Sequence, residues 1–106
     1  MPETHHWSYD FFCGKSVDAM LAAFNAAGPW QWQLGDSDVY GFYLRCRPND
    51  QAQVRVYERA QFRTGGGESR EDFWAELYSD AEAQAEITHH FRRLLQVINA
   101  KNITET

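Results

Sequence analysis

Long hydrophobic runs are missing from this chain. The longest unbroken apolar stretch, Ala19–Phe24, falls far below the ~20 residues that a membrane-spanning helix needs, so no membrane association is expected. Cysteine is scarce: Cys13 and Cys46 stand alone, too few for a disulfide framework. Both fall on the apolar side of alternating segments and read as buried thiols in a reducing compartment. The N-terminus, Met-Pro-Glu-Thr-His-His-Trp, has neither the basic nor the apolar region of a secretory leader. A cytoplasmic location is therefore expected, and Asn102-Ile103-Thr104 reads as a chance match to a glycosylation acceptor.

Catalytic signatures are lacking as well. There is no GxSxG, HExxH or CxxC. Cys13-Gly14-Lys15-Ser16 lies between a strand and a helix, as the end of a phosphate-binding loop does. Tyr9 stands where that motif needs its first glycine, so Ser16 is read as a helix cap instead. The histidines come as adjacent pairs, His5-His6 and His89-His90. Neighbouring helical residues point ~100° apart, so such a pair does not converge on one ion. Glu86 has ligand spacing to His89 or His90, but two ligands do not make a zinc site. Asp36 and Asp38 lie in a turn-like sequence without an EF-hand pattern. A cysteine–histidine dyad would need a thiol off the apolar face, which the alternation denies. The reading names no catalytic residue, no metal and no cofactor, and leans away from an enzyme.

What is present is aromatic surface and unevenly placed charge. The 106 residues suit one domain, 1–106, and 15% of them are aromatic, enough large rings for a core without metals or disulfides. Net charge is −5, but six arginines crowd into residues 41–70 between two acidic flanks. A protein that grips a phosphate backbone is normally basic overall, so nucleic acid is disfavoured.

Periodicity gives the elements. Trp7–Cys13 alternates and reads as a strand. Ser16 caps a helix whose stripe is Val17, Met20, Leu21, Phe24 and Ala27, stopped by Gly28-Pro29. Trp30–Leu34 is a strand, Gly35–Asp38 a turn, and Val39–Arg47 a strand with Tyr40, Phe42, Leu44 and Cys46 on its apolar side. Pro48–Asp50 is a turn, and Ala52–Arg63 a further strand. Keeping both apolar faces together pairs Leu44 with Val56, Tyr43 with Tyr57 and Arg45 with Arg55. Residues 64–70 form a glycine-rich flexible loop. Glu71–Ser79 fits a strand or a helix, and its aromatic content after a hairpin-like loop favours the strand. Asp80 caps a final helix, Ala81–Ala100, with a stripe of Ile87, Phe91, Leu94, Leu95 and Ile98. Residues 1–6 and 101–106 are taken as frayed tails. The order β-α-β-β-β-β-α predicts a two-layer α+β fold, with both helices on one face of a mostly antiparallel sheet.

That arrangement leaves the other sheet face open. It collects Gln31, Gln33, Tyr43, Arg45, Arg47, Arg55, Tyr57 and Arg59, with Trp74, Glu76 and Tyr78 joining if the last strand forms. Arginine, tyrosine and tryptophan are the side chains enriched at binding hot spots. They are also ordinary on the solvent side of an antiparallel sheet, so composition leaves a solvated face and a binding face both open. The leading expectation is a small non-catalytic protein-interaction module, of adaptor, small-chaperone or inhibitor type, which binds another protein through this face. An acidic or amphipathic partner suits the arginines, a basic one would suit the acidic flanks, and a homodimer across the face is a further option. The alternative is a pocket protein or enzyme that binds an anionic small molecule on the same face.

Overall fold

Alternation makes the first strand. Trp7, Tyr9 and Phe11 share one side of β1 (Thr4–Phe12) and are buried, while Phe12 on the other side is 39% exposed. The computed structural model describes residues 4–37, 41–58 and 72–105. Along them the chain runs β1, α1 (Val17–Ala27), β2 (Trp32–Ser37), β3 (Gly41–Cys46), β4 (Gln53–Glu58), β5 (Asp72–Asp80), α2 (Gln84–Val97) and β6 (Lys101–Glu105). The strands form one sheet in the order β2-β3-β4-β5-β1-β6, and every neighbouring pair is antiparallel. Met20 and Phe24 of α1 share a core with Ile87, Phe91, Leu94 and Leu95 of α2 and with the inward residues of β1, β3, β4 and β5. Both helices thus cover one sheet face, in the two-layer α+β arrangement that the alternation implies. Each large side chain taken fully from water, such as Phe24 or Phe91, contributes ~1.5–3 kcal/mol.

The helix ends follow capping chemistry. Ser16 Oγ accepts the Ala19 N–H at 3.1 Å, so the Cys13–Ser16 segment starts a helix rather than cradling phosphate. Gly28 closes α1 at φ +54°, a left-handed conformation that disfavours a side chain. Asn25, on the last turn of α1, clamps β2 from the side. Its Oδ1 accepts the Trp32 N–H at 2.7 Å and its Nδ2 donates to the Trp32 carbonyl at 3.2 Å.

Several expectations need correction. The final helix begins at Gln84, not Ala81: Asp80 Oδ1 accepts the Ala83 N–H and caps the turn that precedes it. The helix also stops at Val97 instead of reaching Ala100. Asn99 adopts φ +57°, and the Ala100 and Asn99 N–H groups return to the Leu95 and Gln96 carbonyls. This is a Schellman stop with asparagine in the left-handed position that glycine usually takes. It turns the chain back, so residues 101–105 are not a frayed tail but an edge strand paired with β1. One extra residue in β6 shifts the register between Asp10 and Phe12, and Asn102 lies there at φ +54°, a β-bulge. The Tyr9 hydroxyl donates to the Glu105 carboxylate and ties down the end of this strand. At the other end, Thr4–His6 pair with β5 as part of β1.

Gly35, Asp36 and Ser37 belong to β2, not to a turn. The reason is packing. A Cβ on Gly35 would lie 2.5 Å from Tyr43 Cζ, because the tyrosine ring crosses directly over this backbone. The 71–79 ambiguity resolves as strand β5 from Asp72 onward, Glu71 lying outside the described residues. The β3–β4 register matches the parity expectation, with Tyr43↔Tyr57, Leu44↔Val56 and Arg45↔Arg55. Asp38, Val39, Tyr40, Arg59, Ala60, Arg63 and the 64–70 loop lie outside the described residues.

Candidate binding surface on the helix-free sheet face

Register builds this surface in rows. One row runs Gly35, Tyr43, Tyr57, Trp74, Asp10 across β2, β3, β4, β5 and β1. The next runs Gln33, Arg45, Arg55, Glu76, Ser8. Beyond it, Gln53 pairs with Tyr78, and Tyr78 with His6. All of these side chains lie on the parity opposite to the core residues, so the helices leave them uncovered.

The first row is an aromatic ladder. Tyr43 and Tyr57 stack with ring centroids 5.2 Å apart and planes 25° from parallel, and Tyr57 and Trp74 stack at 4.7 Å and 20°. His6 and Tyr78 form a second stack at 4.5 Å. Flanked on both sides, Tyr57 is only 3% exposed, yet it stands apart from the main core cluster. It is therefore the pivot of the ladder, not a contact residue. Tyr43 and Trp74 on either side of it stay partly exposed. Cross-strand aromatic pairs stabilise a sheet by ~0.2–1 kcal/mol each and lock ring positions, so the ladder is a rigid platform.

The second row sets the electrostatics. Arg45 and Arg55 sit directly opposite each other, a like-charge pairing that destabilises. Arg55 is hydrogen-bonded locally. Glu76 lies opposite it on β5, and with the Gln53 amide turned to present its oxygen, that oxygen accepts from Nε and Nη2 of Arg55 at 3.1 Å each. A hydrogen bond to the Tyr57 oxygen raises the Arg55 guanidinium above its usual range, so it stays charged. Burial raises the Tyr57 hydroxyl above the ordinary tyrosine value, with the Arg55 hydrogen bond opposing it. Arg45 and Arg47, by contrast, are exposed. Among the described residues the face is polarised, with Arg45 on β3, Arg47 just past its end and Arg55 on β4, against Glu76 on β5 and Asp10 on β1.

A groove of about 500 Å³ opens at the arginine end, lined by Gln31, Gln33, Arg45, Cys46, Arg47 and Gln53. The Cys46 thiol itself is buried, and burial pushes it far above its ordinary value. It supplies no nucleophile. A separate cleft of about 450 Å³ lies on the helix side between Trp30, Pro48, Glu86 and His90. There the His90 ring meets Trp30 edge-on at 4.3 Å, and burial lowers its basicity. His5 and His6 sit at the far end of β1. Among the described residues no group of three or more His, Cys, Asp or Glu could hold a metal ion. Asp36 lies within β2, and Asp38 is outside the described residues.

Of the face residues expected from sequence, Tyr43, Arg45, Arg55, Tyr57 and Trp74 converge on two adjacent rows. Arg47 follows one residue beyond the last pair of β3, and Arg59 lies outside the described residues. Sequence reasoning missed Gly35 and Gln53. Gln53 shares the parity of Arg55 and Tyr57 and was readable from it, whereas nothing in the sequence says that a tyrosine ring needs the space above Gly35. The chain matches no protein-family model and no curated protein. No helix among the described residues is long and apolar enough to cross a membrane.

Proposed function

We propose that this chain is a protein-interaction module that binds an acidic or amphipathic segment of another protein on the helix-free sheet face. The observation that carries the reading is the Tyr43–Tyr57–Trp74 ladder running beside Arg45 and Arg55. Rigid aromatic side chains provide contact area at low entropy cost, and Arg with Tyr and Trp is the composition of binding hot spots. Both thiols, Cys13 and Cys46, are buried.

Selection from a displayed peptide library tests this. Wild type would be compared with a Trp74→Ala/Arg45→Glu variant whose circular dichroism shows a folded chain. Acidic, aromatic-containing peptides enriched by wild type and lost on the variant support the face. Peptides held equally by both proteins, or no enrichment at all, overturn it.

The same face also carries the pocket reading, through the 500 Å³ groove at its arginine end. A thermal-shift screen with phosphates, nucleotides and dicarboxylates tests a small anionic ligand directly, because a ligand that binds the native state raises the melting temperature.

A further inference from the structure

The groove at the end of β3 has a charge pattern that the rest of the face lacks. Arg45 lies on β3 and Arg47 one residue past its end, and both line this groove; residues two apart in extended backbone are about 7 Å apart. Arg55, directly opposite Arg45, is occupied by Gln53 and Tyr57. No ion pair holds Arg45 or Arg47 among the described residues, although both are exposed and line the groove. Among the described residues, three amides stand around them, Gln31, Gln33 and Gln53, and no carboxylate. Glutamine amides both donate and accept, whereas guanidinium groups only donate. The groove thus presents two cationic forks and neutral donors, and repels no anion.

We infer that this groove is the acid-recognition subsite of the binding face, in which Arg45 and Arg47 each grip a carboxylate of an acidic peptide segment. The inference rests on the interaction reading above and specifies its partner's chemistry. Guanidinium and carboxylate match as planar forks with two parallel hydrogen bonds. Binding a carboxylate at Arg45 would also screen it from Arg55. Acidic residues two apart on an extended strand repeat with the same spacing as Arg45 and Arg47, so a Glu-x-Glu segment in extended conformation reaches both. Aromatic residues beside it would reach the exposed edges of Tyr43 and Trp74. A nucleic-acid strand is the less favoured occupant, because no aromatic ring stands among the described residues that line the groove to stack on its bases.

The test uses the intact chain and an acetylated, amidated peptide, Tyr-Glu-Tyr-Glu-Tyr. NMR follows the arginine Nε–H resonances during titration, and fluorescence anisotropy gives the dissociation constant. The Arg45 and Arg47 resonances should move, with that of Arg55 nearly still. Arg45→Gln/Arg47→Gln should weaken binding by roughly tenfold or more, and Arg45→Lys/Arg47→Lys should restore only part of it. Affinity should fall as salt rises from ~50 to ~500 mM. If the double glutamine variant binds like wild type while Trp74→Ala does not, the subsite is wrong and the face stands. If neither variant changes binding, or no peptide binds, both readings fall. Tighter binding of an oligouridylate of equal charge would replace the acidic peptide as occupant and overturn the inference.

Discussion

The ladder should couple Gly35 to Tyr43, and the coupling can be measured. Replacing Gly35 by alanine places a Cβ 2.5 Å from Tyr43 Cζ, where ordinary contact begins at 3.4 Å. The ring end is free to swing, so the backbone need not break. Swinging it pulls the ring off Tyr57, with which it stacks at 5.2 Å. Loss of such a stack costs ~0.5–1.5 kcal/mol beyond area burial. Opposing this, alanine constrains the unfolded chain better than glycine, by ~0.5–1 kcal/mol. The single variant should thus change stability by no more than ~1 kcal/mol in either direction, which alone decides nothing. A double-mutant cycle does. In a Tyr43→Ala background no ring stands above Gly35, so Gly35→Ala should stabilise by ~0.5–1 kcal/mol. The coupling energy between the two sites should be ~0.5–1.5 kcal/mol, or several degrees in melting temperature at ~4–8 °C per kcal/mol for a domain of this size. Urea unfolding followed by tryptophan fluorescence reads it. Additivity within ~0.3 kcal/mol would mean that the ring does not rest on Gly35, and the platform argument would lose its first rung.

Tyr9→Phe removes the hydroxyl that donates to Glu105 and should cost ~1 kcal/mol, with amide-exchange protection lost first in Lys101–Glu105. Unchanged protection there would show that the strand pairing alone holds β6. Burial lowers the His90 pKa, so the unfolded chain binds that proton more readily than the native one, and stability should fall as pH drops below the ordinary value of ~6.5. His90→Gln should flatten that part of the profile in pH-dependent denaturation, and a profile of unchanged slope would refute the assignment. Cys13 and Cys46 are both buried, and neither should react with a thiol reagent until the chain is unfolded in urea. Rapid labelling under native conditions would mean that one of them is reachable from solvent.

The core was legible because it alternates. Trp7, Tyr9 and Phe11 on one side of a strand, and Ile87, Phe91, Leu94, Leu95 and Ile98 along a helix, leave one way to bury their faces together, and all eight are buried. Parity then settled the β3–β4 register, since a one-residue slip would have sent Leu44 and Val56 to opposite faces. β6 was not legible for the complementary reason. Its residues, Lys-Asn-Ile-Thr-Glu, are exposed throughout, so no apolar pattern marks them. What creates this strand is a backbone event at Asn99, where asparagine takes a conformation that sequence reading assigns to glycine. The same blindness turned Gly35 into a turn residue. Glycine marks both a tight bend and a place where a ring comes down on the backbone, and only the cross-strand neighbour Tyr43 tells them apart.

The candidate surface divides along the same line. Which residues share the face follows from parity and was available in advance for Tyr43, Arg45, Arg55, Tyr57 and Trp74. How they differ from one another did not follow. Arg45 and Arg55 look equivalent in the sequence, two arginines at paired positions. In the fold Arg55 has Glu76 opposite, Gln53 beside it and the Tyr57 oxygen within reach, while Arg45 has Gln33 opposite and a groove in front of it. Tyr57 and Trp74 likewise look equivalent, yet one is the enclosed pivot and the other a partly exposed end. A sheet edge converts like residues into unlike roles because each strand has a different neighbour on its two sides. The consequence for binding is a division of labour. Arg55 and Tyr57 spend their polar groups within the sheet and hold the platform rigid, which lowers the entropy lost when a partner docks. Arg45 and Arg47 line the groove and Trp74 is partly exposed, so a partner can reach all three. Substitutions at the first pair should therefore show up in stability before binding, and substitutions at the second set in binding with little change in stability.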